Sequence, residues 1–259
     1  MPNIIAVIPA HLESVRLKRK ILIDLLGIPM IEHVRRRVSD SNLFDKVIVA
    51  TGDDQIISTV TAYGGEVQRT FKNHLNGTSR VAEAVEHFNC SHVVIIQGDE
   101  PLITKDTLLK IKNSIKNNPE IDSWNCISNI NNKEDLNRIN IVKASINEDG
   151  KILYCFRKSP SVGTFQKQTR YIKKIQGLIA FKKDVLLKLS HKKISKLELV
   201  ESIEQLKILN YGFSMYGILQ KEQVPSINEE SDLKEFYDYL KNNKAQNELT
   251  KRLINSTRT

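Results

Sequence analysis

Cysteine is scarce in this sequence, with 3 cysteines among 259 residues. Cys90, Cys126 and Cys155 are odd in number and widely spaced, without a CxxC pair and without histidines at metal-ligand spacing. This pattern argues against a disulfide framework and against a zinc site. We therefore expect reduced thiols in a cytoplasmic protein.

Long apolar runs are also missing, as are internal repeats and low-complexity tracts. No apolar run approaches the ~20 residues that a membrane span requires, so we expect no membrane contact. Residues 1–3 lead directly into an apolar, strand-like run, so we expect no signal peptide. Since 40% of the residues are hydrophobic, the chain can bury one sizeable core, or a main core with a smaller lobe.

Aromatic residues make up only 6% of the sequence, whereas its formal net charge is +9. The scarcity of aromatic residues helps decide whether this charge indicates nucleic-acid binding. Clustered cations neutralise nucleic-acid phosphates, and interleaved aromatic residues stack on bases. Here the lysines are spread through segments rich in Ile, Asn and Lys, such as those around 182–183 and 192–193, without the aromatic interleaving that stacks bases. We expect a solvated basic surface and no nucleic-acid partner. A general attraction for anionic partners is the alternative.

The first half of the chain predicts an α/β fold. Short β-branched runs without polar alternation are typical of buried parallel strands, and they occur at 4–8, 46–50 and 92–96. Stretches with helical spacing lie between and after them, at 30–38, 54–63, 78–88 and 105–116. This alternation requires a mostly parallel sheet with right-handed crossovers.

The pattern changes after about residue 120. Mixed strands are predicted at 124–130, 140–147 and 152–156, with a hairpin turn at 147–150. A polar loop is predicted at 157–170, and helices at 198–210 and 232–241. We expect one domain over 1–245, in which 125–210 form a smaller lobe, followed by a polar tail at 246–259.

Ligands of parallel α/β sheets bind beyond the carboxyl ends of the strands, so the loop after the first strand is a candidate site. It carries four cations in five positions, Arg16, Lys18, Arg19 and Lys20. Such a cluster can neutralise a triphosphate and the charge of departing pyrophosphate. The alternative is that these cations form a solvated basic loop. The position of the cluster at the expected ligand-binding edge favours phosphate binding.

The loop after the strand at 92–96 carries a second candidate, Asp99. Mg²⁺ binds proteins through one or two carboxylates together with substrate phosphates, and a carboxylate at a central strand end suits that role. The alternative is a helix cap, although Pro101 separates Asp99 from the helical pattern that follows. We predict a magnesium ligand.

Six sequence blocks, in order from residue 4 to about 240, resemble the motifs of the CMP-Kdo synthetase (3-deoxy-manno-octulosonate cytidylyltransferase) family. The matching residues are Pro9, Ala10, Ser14, Arg16, Leu17 and Lys20; Gly27, Pro29, Met30 and Ile31; His74, Gly77, Thr78, Arg80, Ala82 and Glu83; 97–101; 140–143 with Tyr154 and Arg157; and Leu197, Glu198, Glu201, Glu204, Gln205 and Leu206.

The resemblance implies a Rossmann-like nucleotidyltransferase fold with helices on both faces of the sheet and a smaller mixed-strand dimerisation lobe. It implies a homodimer that transfers CMP from CTP to an acidic sugar, Kdo or a related 2-keto-3-deoxy sugar acid, with Mg²⁺ as cofactor and pyrophosphate as product. The hydroxyl of the sugar would attack the α-phosphorus in line, so catalysis rests on positioning and charge neutralisation.

The resemblance also implies roles for individual residues. The catalytic residues would be Arg16, Lys20 and Asp99. Nucleotide binding would involve Pro9, Ala10, Arg16, Lys20, Asn76, Gly77, Thr78, Arg80 and Gln97. Sugar binding would involve Lys143, Arg157, Gln176, Glu204 and Gln205. The metal would be held by Asp99 and Asn228.

The sequence departs from the family pattern at positions that bear on metal and acceptor. Where the family has a second metal-binding aspartate, this chain has Asn228, whose amide brings no negative charge, so a weaker metal site is expected. His11 replaces a family arginine. Ile175, Ile179 and Phe181 replace polar residues that face the sugar. These departures favour a related sugar acid over Kdo itself, and they leave a catalytically degenerate nucleotide or nucleotide-sugar binding protein as the alternative.

Two further residues have structural interpretations. Trp124 is expected to pack in the core rather than stack on a base. Asp53 is expected to cap the helix that follows it rather than to bind metal.

Overall fold

The computed structural model describes residues 2–14, 17–71, 73–221 and 224–255. Within them the strands are β1 (Ile4–Pro9), β2 (Asp24–Leu25), β3 (Ile28–Pro29), β4 (Lys46–Thr51), β5 (Glu66–Arg69), β6 (His92–Ile96), β7 (Ser123–Ser128), β8 (Lys143–Ile146), β9 (Ile152–Phe156), β10 (Ile172–Lys182) and β11 (Met215–Gln220). The α-helices are α1 (Met30–Asp40), α2 (Asp54–Ala62), α3 (Gly77–Val85), α4 (Lys105–Asn117), α5 (Phe165–Tyr171), α6 (Lys183–Ser190), α7 (Lys196–Glu201), α8 (Gln205–Asn210), α9 (Ser231–Asn242) and α10 (Lys244–Asn255). Short 3₁₀ helices lie at Lys20–Leu22 and Lys133–Leu136.

In the described part of the chain, nine strands form one twisted sheet in the order β11-β7-β10-β6-β1-β4-β5, with β8 and β9 attached beside β10. The strands β6, β1, β4 and β5 run parallel, and β11 is parallel to β7. The long strand β10 is antiparallel to both β6 and β7. The predicted mostly parallel sheet with mixed strands at one side is therefore confirmed.

Both faces of this sheet are covered, which explains the unbroken apolar runs in its strands. Along β1, Ile4, Ala6 and Ile8 enter one apolar cluster, whereas Ile5 and Val7 enter the other. The first cluster lies under α1, α2, α4 and α9, and the second under α3, α6 and α8. Helices on both faces were expected and are confirmed.

The smaller lobe begins with the hairpin of β8 and β9. The predicted turn at 147–150 is present: Gly150 has φ +81°, and the Asn147 side chain accepts a 2.8 Å hydrogen bond from the Lys151 amide. The small apolar cluster of this lobe contains Ile130, Leu136, Phe156 and Ile172. Trp124 of β7 is 1% exposed in the main core, as expected.

Two predictions about the lobe's local structure are wrong. Residues 157–170 were expected to form a loop, but α5 begins at Phe165 within them. The single helix expected at 198–210 is broken into α7 and α8, because Ser202 adopts a left-handed conformation with φ 52°. Arg157 donates hydrogen bonds to the carbonyls of Glu201 and Ser202, which occupies the groups that would continue α7.

The polar tail expected at 246–259 is also corrected. Residues 244–255 form α10, in which Thr250 and Leu253 are buried. The buried Arg37 of α1 donates to the Gln246 and Thr250 side chains at 2.7 and 2.5 Å. One face of this segment therefore packs on α1 through polar contacts, while the other face is exposed. Among the helices that the model describes, none is long and apolar enough to cross a membrane.

Candidate active site

The parallel pairing of β1 with β6 brings three separated sequence blocks together at the carboxyl ends of these strands. A Cβ atom built on Gly77 would lie 3.0 Å from the Pro9 side chain and 3.6 Å from Oε1 of Gln97. Only glycine leaves that much room at the start of α3, so Pro9, Gly77 and Gln97 form one surface. Three residues with predicted nucleotide contacts therefore lie side by side.

The loop after β1 is held by backbone contacts at its beginning. The amide of Ala10 donates to the Ala50 carbonyl at 2.9 Å, and the amide of Leu12 donates to Oδ2 of Asp53 at 3.0 Å. The expected capping role of Asp53 is wrong, because its side chain makes no cap hydrogen bond to α2. It fixes the start of the cationic loop instead.

The next part of that loop carries the predicted catalytic cations. Arg16 lies outside the described residues. Lys18 and Arg19 are exposed. Lys20 turns inward, and its Nζ donates to Oδ2 of Asp99 at 2.7 Å, with side chains 14% and 23% exposed, respectively. The structure thus joins Lys20 and Asp99, two residues 79 positions apart that the sequence nominated separately.

A third ionisable side chain at this point, that of Glu100, was not predicted. Burial, and then the Asp99 carboxylate, raise the pKa of Glu100 to about 8. A Cβ atom on Gly177 of β10 would lie 2.7 Å from Oε1 of Glu100, so a side chain at this position would displace the carboxyl from its present place. The sequence signal that could have identified Glu100 is its position within the 97–101 block.

The remaining predicted metal ligand lies next to Asp99. The amide of Ile227 donates to the Asp99 carbonyl at 3.0 Å, which places Asn228 beside the end of β6. Its backbone amide donates to Asp232 at 2.7 Å, and its Nδ2 donates to Ser226 at 3.1 Å. The local structure therefore orients the Asn228 amide.

The donor set fits Mg²⁺ of the kind shared with a substrate. The oxygens near the end of β6 that could ligate a metal belong to the carboxylate of Asp99, which pairs with Lys20, the carboxyl of Glu100 and the amide of Asn228. No group of three or more His, Cys, Asp or Glu side chains able to hold a metal occurs in the described residues. Mg²⁺ keeps several water or phosphate ligands and needs no complete protein cage, so this sparse set suits it.

The amino end of α3 supplies backbone donors at the same edge. Asn76 caps the helix by accepting a 2.9 Å hydrogen bond from the Ser79 amide. Nη1 of Arg80 donates to the Thr70 hydroxyl at 2.7 Å, beyond the end of β5. The amino terminus of a helix favours anions. The Asn76–Arg80 turn, predicted to contact the nucleotide, is therefore suited to an anion such as a phosphate.

The predicted sugar residues Gln176 and Gln205 are connected through a residue that the sequence did not reveal. Nδ2 of the fully buried Asn125 donates to the Gln176 carbonyl at 2.9 Å, and Nε2 of Gln205 donates to Oδ1 of Asn125 at 3.1 Å. The Gln176 side chain donates to Ser128 at 2.7 Å. Asn125 could have been identified from the sequence as a polar residue inside an otherwise apolar predicted strand. A register shift between Ile175 and Ile179 of β10 accompanies this network.

Glu204 points away from Gln205, towards α3. Its carboxyl lies against Thr78; burial, the largest effect, raises its pKa, and the nearby Glu198 adds to the rise. Glu198 and Glu204 line a cavity of about 380 Å³ that also contacts Asn76. Glu204 therefore joins the lobe to the amino end of α3.

The other two predicted sugar residues are engaged by the main chain. The ammonium of the fully buried Lys143 donates to the carbonyls of Arg138 and Ile141, both at 2.8 Å, and of Arg157. The guanidinium of Arg157 donates to the carbonyls of Glu201, Ile139 and Ser202 at 2.6–2.7 Å. The structure does not bring Lys143 and Arg157 to Asp99; it uses them to hold the lobe together.

The apolar residues expected to face the sugar are mostly internal. Ile179 is 5% exposed and Phe181 is 1% exposed, and both belong to the core cluster beneath α3, α6 and α8. Ile175 is half-buried at the edge of that cluster. The expectation that Ile179 and Phe181 line the acceptor site is therefore wrong, because they pack beneath these helices.

The fold and this edge define an α/β nucleotidyltransferase class, with a cationic loop and a carboxylate meeting at the ends of neighbouring parallel strands. Sequence comparison identifies the family within this class, because a family model described as cytidylyltransferase matches residues 5–221. The chain belongs to the cytidylyltransferase family, within which it is related to the 3-deoxy-manno-octulosonate cytidylyltransferases.

Relatives with that description cover nearly the whole chain. The protein of Fusobacterium nucleatum is 32% identical over 240 residues, which are 92% of this chain and 97% of that protein. The protein of Chlorobium phaeobacteroides is 35% identical over 249 residues, covering 93% and 99% of the two chains. The predicted family resemblance is confirmed.

Solved structures agree with this assignment. A CMP:2-keto-3-deoxy-manno-octonic acid synthetase complexed with CTP matches with a TM-score of 0.85 and 27% identity, covering 92% of this chain and 98% of that one. A 4-diphosphocytidyl-2C-methyl-D-erythritol synthase from Anaerococcus prevotii, 14% identical with a TM-score of 0.61, shares the fold. The nucleotidyltransferase fold is therefore confirmed.

Proposed function

We propose that this protein transfers CMP from CTP to a 2-keto-3-deoxy sugar acid and releases pyrophosphate. The observation that carries the proposal is the meeting of Lys20, Asp99 and Gln97 beside the amino end of α3. Related proteins carry the same activity in their names, and one related structure contains CTP. Kdo or a related acid is the acceptor in this proposal.

The geometry of the site suggests a role in the reaction for each of these residues. In-line attack of a sugar hydroxyl on the α-phosphorus requires that the triphosphate be fixed and that charge on the leaving pyrophosphate be neutralised. Lys20, with Arg16, would bind the phosphates, while the turn that begins at Gly77 supplies backbone amides. Mg²⁺ held by Asp99 and Asn228 would supply further charge neutralisation at the reacting oxygens.

The acceptor would lie on the lobe side of this edge. Gln176 and Gln205 are fixed by Asn125, and Glu204 lies against Thr78, so polar groups from the lobe adjoin the amino end of α3. Hydroxyls of a sugar acid are suitable partners for these amides. We assign no sugar contact to Lys143, whose ammonium the main chain already satisfies.

We also propose a homodimer built through the smaller lobe. Several large apolar side chains of this lobe face solvent in the single chain: Leu153, Tyr154, Val162, Leu199 and Val200. Burial of such residues against a second copy is favourable. The cytoplasm suits this enzyme, since Cys90, Cys126 and Cys155 are all free thiols.

Pyrophosphate release tests the activity directly. The protein would be incubated with Mg²⁺ and each of CTP, UTP, ATP and GTP, against a panel of 2-keto-3-deoxy sugar acids that includes Kdo. Release that requires both CTP and one of the acids is expected. If no combination of nucleotide and acid releases pyrophosphate while CTP still stabilises the fold, the protein binds nucleotide without turnover. The departures from the family pattern at Asn228 and His11 are the features that suggest this alternative.

A further inference from the structure

The ion pair between Lys20 and Asp99 occupies the carboxylate that the metal needs. Nζ of Lys20 lies 2.7 Å from Oδ2 of Asp99, and neither side chain is more than 23% exposed. Water and salt screen such a partly buried pair less than they screen a surface pair. A divalent cation approaching this oxygen therefore meets a positive charge already in place, which opposes binding by direct repulsion.

The backbone around Lys20 is fixed while its side chain can move. The Lys20 amide donates to the Leu17 carbonyl at 3.2 Å, and its carbonyl accepts from the Ile23 amide at 3.1 Å. Arg19 before it adopts a left-handed conformation with φ 54°, which turns the chain inward at this point. Lysine carries a compact charge on four rotatable bonds, so the ammonium can leave Asp99 without any change in the loop.

A triphosphate is the partner that can draw Lys20 away. It brings several negative charges to the edge at which Lys20 and the Gly77 turn lie, and it brings phosphate oxygens that also bind the metal. Once Lys20 pairs with a phosphate, Asp99 is left as an uncompensated, partly buried carboxylate. Such a group has a strong preference for a new cation.

We propose that Lys20 acts as an internal counter-ion that holds Asp99 closed to divalent metal until a nucleotide arrives, so that metal and nucleotide bind together rather than independently. This inference rests on the proposed function, because it takes Asp99 as the metal ligand. It adds a second role to Lys20: besides binding phosphate, Lys20 prevents the free enzyme from loading metal in the absence of substrate.

Mn²⁺ binding to the nucleotide-free protein, measured by the electron paramagnetic resonance signal of free Mn²⁺, tests this inference. Lys20→Met removes the counter-ion and should bind Mn²⁺ at least tenfold more tightly than the unmodified protein. Lys18→Met removes the same charge from an exposed position of the same loop and should change the affinity less than twofold. In the double variant Lys20→Met, Asp99→Asn, the gain should disappear.

The result that overturns the inference is equal Mn²⁺ affinity in the unmodified protein and Lys20→Met, with thermal unfolding showing that both are folded. A gain that survives in the double variant would also overturn it, since the ion would then bind elsewhere.

A second arm separates this failure from failure of the proposed function. Binding of Mn²⁺ with CTP is compared between the unmodified protein and Asp99→Asn. If CTP-dependent binding is weaker in Asp99→Asn, the metal assignment stands even when Lys20→Met shows no gain, and only the counter-ion role is lost. If the two proteins bind Mn²⁺ with CTP equally, Asp99 is not the metal ligand, and the inference falls together with that assignment.

Discussion

The proposed nucleotide edge, defined by Pro9, Lys20, Gly77, Gln97 and Asp99, and the smaller lobe, expected at 125–210, differ in how well the sequence predicted the contacts of their polar residues. At the nucleotide edge, Lys20 and Asp99 form an ion pair, and Gly77 packs closely against Pro9 and Gln97. In the lobe, Lys143 and Arg157, two residues predicted to bind the sugar, donate hydrogen bonds to backbone carbonyls instead. Polar residues at the ends of parallel strands are therefore safer functional assignments than polar residues in a mixed-strand lobe, whose own backbone needs partners.

Asp99→Asn should cause the largest effect, because it removes the negative charge at the centre of the nucleotide edge. We expect pyrophosphate release to fall by about three orders of magnitude, as for loss of other groups that stabilise transition-state charge. Steady-state rates at saturating Mg²⁺ and CTP measure this. Asp106→Asn, on the exposed face of α4, is the matched control and should keep its activity. A near-normal rate for Asp99→Asn would show that the nucleotide edge is misassigned.

Lys143→Met probes the lobe side of the comparison. Loss of the ammonium removes a charged donor from three part-buried carbonyls, of which only that of Arg138 also accepts from a backbone amide, that of Ile141, among the bonds described, so the free energy of unfolding should fall by about 2 kcal/mol. Urea unfolding measures this, with the exposed Lys151→Met as control. The KM for the acceptor should stay unchanged. A raised KM with unchanged stability would restore Lys143 to the sugar site and remove the contrast between the two regions.

The pH dependence of stability sharpens the comparison further. Burial lowers the pKa of His33 in α1 from 6.5 to about 4, an effect that the Leu25 carbonyl only partly offsets. Between these values the unfolded chain binds more protons than the folded protein, so the free energy of unfolding falls as the pH falls through this window. The total loss is about 3 kcal/mol. In the lobe, burial raises the pKa of Glu204, so its contribution has the opposite sign and is lost as the pH rises.

Urea unfolding from pH 7 to pH 4 checks this. His33→Gln should flatten the acid limb of the profile, while His87→Gln, at an exposed position, should leave it unchanged. An acid limb that is identical in His33→Gln and in the unmodified protein would show that other groups cause the acid sensitivity.

Asn228→Asp should produce the smallest effect. The added carboxylate beside Asp99 supplies a charge that the amide lacks, and we expect Mg²⁺ to bind several-fold more tightly in the presence of CTP. The Mg²⁺ concentration that gives half-maximal pyrophosphate release measures this. Asn89→Asp adds the same charge at an exposed turn and serves as control. An unchanged Mg²⁺ requirement would place Asn228 outside the metal site.

Part of the site could be read from sequence because its signals are local. The three parallel strands follow from unbroken β-branched runs, and the helices between them follow from apolar periodicity. The proposed chemistry of Asp99 follows from its place at a strand end. Glu100 and Asn125 were missed for a different reason. Nothing in their local pattern shows that Gly177 passes against Glu100, or that Asn125 joins Gln176 to Gln205.

The sequence by itself determined the order of the three parallel strands β1, β4 and β6 and of the helices around them, and the cations and carboxylate in the loops after β1 and β6. Only the tertiary structure decided which polar side chains remain available to a ligand. Arg157 shows the reason: the carbonyls of Glu201 and Ser202 that it satisfies lie 44 and 45 residues away in the chain. A buried donor takes whichever acceptors the packing brings to it, and those acceptors leave no mark in the local sequence.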